Sequence, residues 1–318
     1  MKIYSFIDEF SSFLPCVFTL GVFDGVHKGH QKIIKNLVFR AKKEKLFCSV
    51  LLTFYPHPKE ILEPNKEIFY LNTLSERIYN LKKTGIQHLI IHPFTINFSK
   101  LSTKDFLQKI VSSRLKIKQF ITGYDSHIGK NRDGSFHHLK NLSPIYGFKL
   151  YQVNPCKSNK KIISSTSIRK SLIKGNIEWA NKALGYSYTL SGFVIQGNGI
   201  GRILNYPTAN IRIDNKKLIP KQGVYAVKIN YLHNTYQGML NIGVCPTIRI
   251  RNNKKIKIEV HIFDFHKNIY GKEIDILILK IIREEKKFRT IQDLKTQINK
   301  DQIKIKKFFQ KFNNHCEK

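Results

Sequence analysis

No apolar stretch in these 318 residues runs uninterrupted to the ~20 needed to cross a bilayer, so no membrane-spanning helix is expected. The N-terminus also lacks the basic start and apolar run of a secretory leader, with Asp8 and Glu9 standing inside the first ten residues. A soluble, unprocessed protein of the cytoplasm is expected. Cysteine is sparse: Cys16, Cys48, Cys156, Cys245 and Cys316 are odd in number, scattered, and nowhere form C-x-x-C. That pattern implies neither a disulfide framework nor a zinc site, and it suits reduced thiols. Internal repeats, low-complexity segments and a basic tail are missing too. Acidic residues are the scarcest class relative to their counterpart, 22 Asp+Glu against 55 Lys+Arg, for a net charge of +33. Such an excess ordinarily points to nucleic acid, because cations released from phosphates drive binding. Here it is spread evenly: residues 1–183 hold 30 basic against 12 acidic, and residues 184–318 hold 25 against 10. Two explanations stay open, the Lys-, Ile- and Asn-rich bias of an AT-rich genome acting on every surface, or genuine affinity for polyanions. No dedicated segment serves the second, so no specific nucleic-acid partner is expected.

What is present suffices for two cores of ordinary size, with 42% hydrophobic and 12% aromatic residues. An apolar run from Val17 to Leu20 leads into GVFDGVHKGH and then a lysine-rich helical pattern to about Glu44. A second run, FCSVLLTF from Phe47, stops at Pro56 and Pro58. Helical patterns from about Ser75 and Ser102 then alternate with short runs near Leu89 and Phe120, which reads as a doubly wound parallel sheet. Two short helices split at Gly175 follow. Beyond Leu184 to Tyr186 the period becomes twofold, with strand-like segments at residues 188–195, 223–230, 236–243, 256–263 and 274–282, then a long helical pattern from about Thr290. That predicts a small antiparallel barrel with a C-terminal helix.

The sharpest chemistry in the first half lies in Gly21 to His30. Glycines let backbone approach a phosphate, and the turn opens a helix whose free N–H groups attract anions. His27 and His30 stand at that anion site. The run matches neither the Walker loop nor the G-x-G-x-x-G fingerprint; its H-x-G-H is similar to the nucleotidylyltransferase signature. Two surface histidines beside a turn would show the same letters. An aminoacyl-tRNA synthetase carries a related motif, but no KMSKS-like loop is present and the barrel half would be unexplained.

The company of that motif narrows the reading. TFYPHP (Thr53 to Pro58), GYDSHIGKNRDG (Gly123 to Gly134) and ISSTSIR (Ile163 to Arg169) follow it, and the second half carries GNGIGRILNYPTAN (Gly197 to Asn210), QGVYAV, NIGVCPT, EVHIFDF, YGK and IREEKKF. In order and spacing the chain resembles the bifunctional riboflavin kinase/FAD synthetase family over nearly its whole length. The resemblance implies an FMN adenylyltransferase domain at residues 1–184 with a nucleotidylyltransferase-like sheet, and a riboflavin kinase domain at residues 185–318. The substrates would be riboflavin, FMN and ATP, with Mg²⁺.

In the first domain the resemblance makes His27 and His30 catalytic phosphate-stabilising groups. Gly21, Phe23, Asp24, Gly29, Ser165, Thr166 and Arg169 would bind nucleotide or phosphate, and Asp125 would hold substrate. By local pattern alone, His57 between its prolines is a loop residue or a ligand, Ser165 and Thr166 could be helix N-caps, and Arg169 a solvated helix charge. The family usually has aromatic residues where Ser126 and Ile128 stand and an arginine where Ser167 stands, which sets flavin or adenine packing and one phosphate contact in question. Such a site needs no general base, since a phosphate monoester has a second pKa of about 6 and arrives already anionic. Alignment and charge neutralisation are what remain to be supplied.

In the second domain Gly197, Gly199 and Gly201 lead to Pro207 and a strand, unlike a dinucleotide turn. By resemblance, these glycines and Arg202 contact phosphates, while the Thr208 hydroxyl and Asn210 carbonyl are Mg²⁺ ligands, both hard oxygen donors. Asn205 replaces a family glycine, the cheapest exchange if the backbone there is left-handed. The riboflavin hydroxyl must lose a proton, so this site needs a base. Alternation puts Glu259 with Lys257 and His261 opposite the apolar Ile256, Ile258, Val260 and Ile262. Pattern alone would make Glu259 a surface residue paired with a lysine; the resemblance makes it the catalytic glutamate. Arg283 would contact flavin or substrate, and Phe288 would pack in the core. An enzyme keeping only the kinase, with a decayed adenylyltransferase, and an RNA-binding protein built on these folds are the competing readings.

Overall fold

The computed structural model describes residues 1–112, 115–197, 199, 201, 204–250 and 253–316. It divides into two compact units, Met1–Ser165 and Thr166–Lys318. The hydrophobic period changes at Leu184 to Tyr186, but packing divides the chain earlier, because the helix Ile177–Leu184 lies on barrel strands.

The first unit is built on six parallel strands: β1 (Lys2–Tyr4), β2 (Cys16–Leu20), β3 (Cys48–Phe54), β4 (His88–His92), β5 (Ile117–Gly123) and β6 (Lys149–Val153). Their order across the sheet is β1-β4-β3-β2-β5-β6. Every residue of β3 is buried, as expected of a central strand covered on both faces. The twofold alternation sorts the side chains: Cys16, Phe18, Val50, Leu52 and Phe120 enter one core, while Val17, Leu51, Leu89 and Ile121 enter the other. The helix α1 (Lys28–Lys43) seals the second core with Ile34, Leu37 and Ala41. Truncating a fully buried side chain such as Leu51 to alanine would cost about 2–5 kcal/mol. Shorter helices complete the layers: α2 (Pro58–Leu62), α3 (Leu74–Lys82), α4 (Ile96–Ser99), α5 (Thr103–Phe106) and α6 (Phe136–Leu142), followed by the small hairpin β7 (Lys157–Ser158) and β8 (Lys161–Ile162). Cys16 and Cys48 are register partners with sulfurs 3.2 Å apart, both unbonded thiols.

Two helices open the second unit, α7 (Ser165–Ile173) and α8 (Ile177–Leu184), parted at Gly175, whose φ is +81°. A closed antiparallel barrel follows: β9 (Tyr188–Ile195), β10 (Ala209–Ile213), β11 (Gly223–Tyr231), β12 (Asn234–Ile250), β13 (Asn253–Ile262) and β14 (Glu273–Glu284), in circular order β10-β13-β12-β11-β14-β9. Closure leaves no free sheet edge. The helix α9 (Ile291–Cys316) packs Ile305 and Phe309 against Val224, Ala226 and Met239.

Candidate active sites

In the first unit β3 and β4 are added on one side of β2, and β5 and β6 on the other. The order of strand addition therefore switches sides between β2 and β5, which run parallel, and the crevice at the carboxyl ends of such strands is where α/β sheets take ligands. Both candidate segments leave the sheet there: Gly21 follows β2, and Gly123 ends β5.

The turn from Gly21 to His27 is tightly held. Phe23, Gly25 and Val26 all have positive φ, and Val26 N–H donates to the Phe23 carbonyl at 3.1 Å. A β-branched residue in that region is costly, so neighbours must impose the shape. Thr53 Oγ1 donates to the Val22 carbonyl at 2.9 Å and Arg77 Nη1 at 3.2 Å. Asp24 is 1% exposed, and its carboxylate accepts the Leu71 and Asn72 amides at 3.0 and 3.1 Å. Expected among the nucleotide-binding residues, Asp24 stands behind the turn as a brace. Its carbonyl accepts Ser165 Oγ at 2.9 Å, which brings the start of ISSTSIR to the same turn. Thr166 and Arg169 fall in the second unit, on α7.

His27 caps α1: its Nδ1 accepts the His30 N–H at 3.3 Å, which leaves the ring proton on Nε2. Its ring stacks on that of His30 at 3.6 Å between centroids, and Phe23, itself buried, meets His30 edge-on at 5.1 Å. A Cβ on Gly29 would approach the His27 ring to 3.1 Å, so the middle glycine of H-x-G-H is there for close contact. His30 Nδ1 is buried without a hydrogen-bond partner among the described residues. Burial, then His27, then Arg77 hold the His30 imidazole well below the usual histidine range. His30 is therefore held as a neutral imidazole, stacked on a His27 ring whose Nδ1 is an acceptor.

That neutrality has a consequence for stability. Burial also lowers His88 and His92 of the same unit, with Lys2 and the N-terminal amine adding to the effect at His88 and Asp8 opposing it at His92. The unfolded chain takes up protons near pH 6.5 that the native unit refuses, so the unfolded form is favoured as pH falls through that value. Unfolding free energies from urea titrations are expected to drop between about pH 7.5 and about pH 5.5, at up to about 1.4 kcal/mol per pH unit for each histidine kept neutral, and less steeply in His30→Gln. Equal slopes for the two proteins would refute the assignment to His30.

In the loop after β5, the two residues that stand where the family has aromatics have local contacts of their own. Ser126 Oγ accepts the Gly123 N–H at 3.0 Å and closes the turn. Ile128 is 6% exposed, inside the core and bridged to Gly134. Ser126 and Ile128 each have a local structural role, while Asp125, just before them, is exposed. His57 caps α2, its Nδ1 accepting the Lys59 N–H at 3.1 Å.

In the second unit, register does what pattern could not. Asn210 of β10 is the partner of Glu259 in β13, which on its other side partners Asn241 of β12. Cross-strand partners share a sheet face, so the three polar side chains form one row. Ile258, Val260 and Ile262 are buried on the opposite face, as alternation predicts, but Ile256, expected with them, is 44% exposed, so the apolar face does not reach that far toward the start of β13. Lys257 Nζ lies 2.8 Å from Glu259 Oε1, so the lysine pairing is real as well. His261 Nδ1 donates to the Pro207 carbonyl at 2.8 Å and pins the segment before β10.

Glycines shape this site by what they leave out. A Cβ on Gly197 would collide with the Asn210 amide, and one on Gly201 with the Tyr206 carbonyl and the Thr208 hydroxyl. The loop therefore lies directly on the two oxygen donors. Arg202 lies outside the described residues. Asn205 has φ +66°, the left-handed backbone anticipated from the glycine it replaces. Asn205→Gly should keep the melting temperature within a degree or two, whereas Asn205→Val should cost about 1–2 kcal/mol, read by calorimetry. Thr208 and Asn210 fit a hard cation that brings other ligands with it. Among the described residues no cluster of three or more His, Cys, Asp or Glu could form a metal cage.

Arg283 has a partner that the sequence did not reveal. Its Nε donates at 2.7 Å to Asp301, which is 1% exposed and also held by Gln297 at 2.8 Å. This pair ties β14 to α9. Phe288, expected in the core, is half-buried beneath the Arg283 guanidinium at 5.7 Å. Arg77 and the brace at Asp24 were likewise missed. Arg77 sits four residues before buried Leu81, an i,i+4 relation that signals a shared inward face, but its charge masked that signal.

Comparison with known proteins supplies the remaining evidence. A family model for FAD synthetase matches residues 10–167, and one for riboflavin kinase matches residues 184–309. Three proteins named bifunctional riboflavin kinase/FMN adenylyltransferase are similar to the chain. The one from Buchnera aphidicola of Acyrthosiphon pisum is 39% identical over 92% of this chain and 93% of its own. That of Listeria monocytogenes is 38% identical over 93% of each, and that of Escherichia coli K12 is 32% identical over 92% and 93%. A crystal structure described as a macrolide-efflux protein from Streptococcus pneumoniae has a TM-score of 0.86 at 30% identity, covering 95% of this chain and 97% of that one. Among the described residues no helix is long and apolar enough to cross a membrane.

Proposed function

The chain belongs to the bifunctional riboflavin kinase/FMN adenylyltransferase family, carrying both domains, and from that premise we propose how its residues divide the two transfers. The observation that carries the reading is the row Asn210-Glu259-Asn241 beneath a glycine loop seated on Thr208 and Asn210.

In the kinase unit Glu259 takes the proton of the riboflavin hydroxyl. Lys257 holds Oε1, which leaves the other carboxylate oxygen to act as base. Thr208 and Asn210 hold Mg²⁺ together with ATP; when bound, the cation offsets the charge of the phosphates. Gly197, Gly199 and Gly201 let backbone amides approach those phosphates, and Arg202 contributes its charge there.

In the adenylyltransferase unit no base is used, because FMN brings an anionic nucleophile. His27 and His30 donate to the phosphate under attack, and the α1 N-terminus and Ser165 complete its surroundings. Asp125, exposed at the crevice, contacts substrate. We place the protein in the cytoplasm, where the thiols Cys16, Cys48 and Cys156 stay reduced.

Chromatography of products decides among the readings. With ATP and Mg²⁺, riboflavin is expected to give FMN and then FAD, and supplied FMN to give FAD. Accumulation of FMN alone would mean a decayed adenylyltransferase, and tight, salt-sensitive RNA binding without flavin turnover would mean a nucleic-acid protein.

A further inference from the structure

Arg77 heads the fully buried side chains in volume, at 0% exposure. A guanidinium is always charged, and burying one is expensive unless its donors are used. Its Nη1 donates to two carbonyls from separate segments, Val22 in the turn after β2 at 3.2 Å and Phe54, the last residue of β3, at 3.1 Å. The Tyr70 ring lies 5.7 Å from the guanidinium carbon. Tyr70 in turn donates to Glu60 at 2.6 Å and accepts the His57 N–H at 2.9 Å.

We propose that Arg77 is a positioning residue for adenylyl transfer, its Nη1 joining the Gly21–His27 turn to the end of β3 so that the two histidines face the nucleotide phosphate. The inference rests on the adenylyltransferase reading of the first unit. Val22 lies between the strand and the helix that carries His27 and His30, so movement of its carbonyl moves the cap of α1. Thr53 reaches the same carbonyl, and Asp24 ties the turn to Leu71 and Asn72, just ahead of α3. Bonds from Asp24 and Arg77 thus join the strained turn to the segment Leu71–Arg77, and Arg77 also grips Phe54. The choice of a cation has a second effect. The positive charge reaches His30 and, with burial and His27, opposes its protonation. Arg77 thereby holds both the place and the protonation state of the stacked pair.

The test compares wild type, Arg77→Lys and Arg77→Gln, with FMN adenylylation, riboflavin phosphorylation and the NMR titration of His30 measured on each full-length protein. A displacement near 1 Å at reacting groups can cost about 10²-fold, so Arg77→Gln is expected to lose about 10–100-fold in kcat for adenylylation with a smaller change in KM for ATP. Kinase turnover should not move. Arg77→Lys restores charge on a shorter side chain whose ammonium falls short of the Nη1 position, and should recover part of the loss. The His30 titration midpoint should rise in Arg77→Gln and stay near wild type in Arg77→Lys. Wild-type kcat in Arg77→Gln overturns the proposal, as does an equal loss in both variants with no change at His30, the mark of a merely structural role. Should Arg77→Gln fail to fold, an Arg77→Lys protein with wild-type adenylylation overturns it equally. Absence of adenylylation in the wild type would refute the underlying reading instead.

Discussion

Glu259→Gln is expected to lower riboflavin phosphorylation by about 10²–10⁴-fold, the range for removing a positioned general base, while the same protein converts supplied FMN to FAD at the wild-type rate. Glutamine keeps the volume and an oxygen that can meet Lys257, so the ion pair becomes a hydrogen bond from the lysine cation to a neutral amide and the strand stays in place. What is lost is the ability to accept a proton. Residual turnover should rise with pH as the hydroxyl ionises without help, and KM for riboflavin should change little, since the lesion is in the transition state. Chromatography with riboflavin and with FMN as alternative substrates reads both activities in one experiment. Loss of both would remove the two-site assignment, and full kinase activity would return Glu259 to the surface role its lysine partner suggests.

His30→Ala should produce the mirror image: FMN adenylylation reduced by about 10²–10³-fold, comparable to removal of one oxyanion donor, with kinase turnover intact. The truncation takes away a donor and also the ring against which His27 and Phe23 pack, so some loss of thermal stability is expected too. His30→Asn separates the two effects, because it retains a donor near the same place and should recover part of the rate. An adenylylation rate within threefold of wild type in His30→Ala would remove the stacked pair from the chemistry.

Much of this was legible in the letters. Alternation placed Glu259 opposite Val260 and Gly175 parted two helices, because each depends on neighbours within a few residues, while the left-handed backbone at Asn205 followed from the family glycine it replaces. The opposition of Asn210 to Glu259 was not legible: it is a matter of register between strands about fifty residues apart, and register is set by tertiary packing. The same holds for Arg283 with Asp301, and for Asp24 with Leu71. Charged residues that serve as interior struts look, in a sequence, like charged residues that face water. Ser126 and Ile128, noted only as departures from the family's aromatic residues, also close a turn and fill a core, which their letters did not reveal.

The order of strands also sets a timetable for synthesis. Strand β1 has its register with β4, Lys2 opposite His88, so the first residues made must wait for a partner more than eighty residues later. The barrel cannot close until β14 returns to β9, where Tyr188 meets Ile278. Domains made first tend to fold first as the chain emerges from the ribosome. The parallel sheet, complete at Val153, is therefore finished while every strand of the barrel is still to be made. The growing chain acquires the fold for the second step of its pathway before the fold for the first.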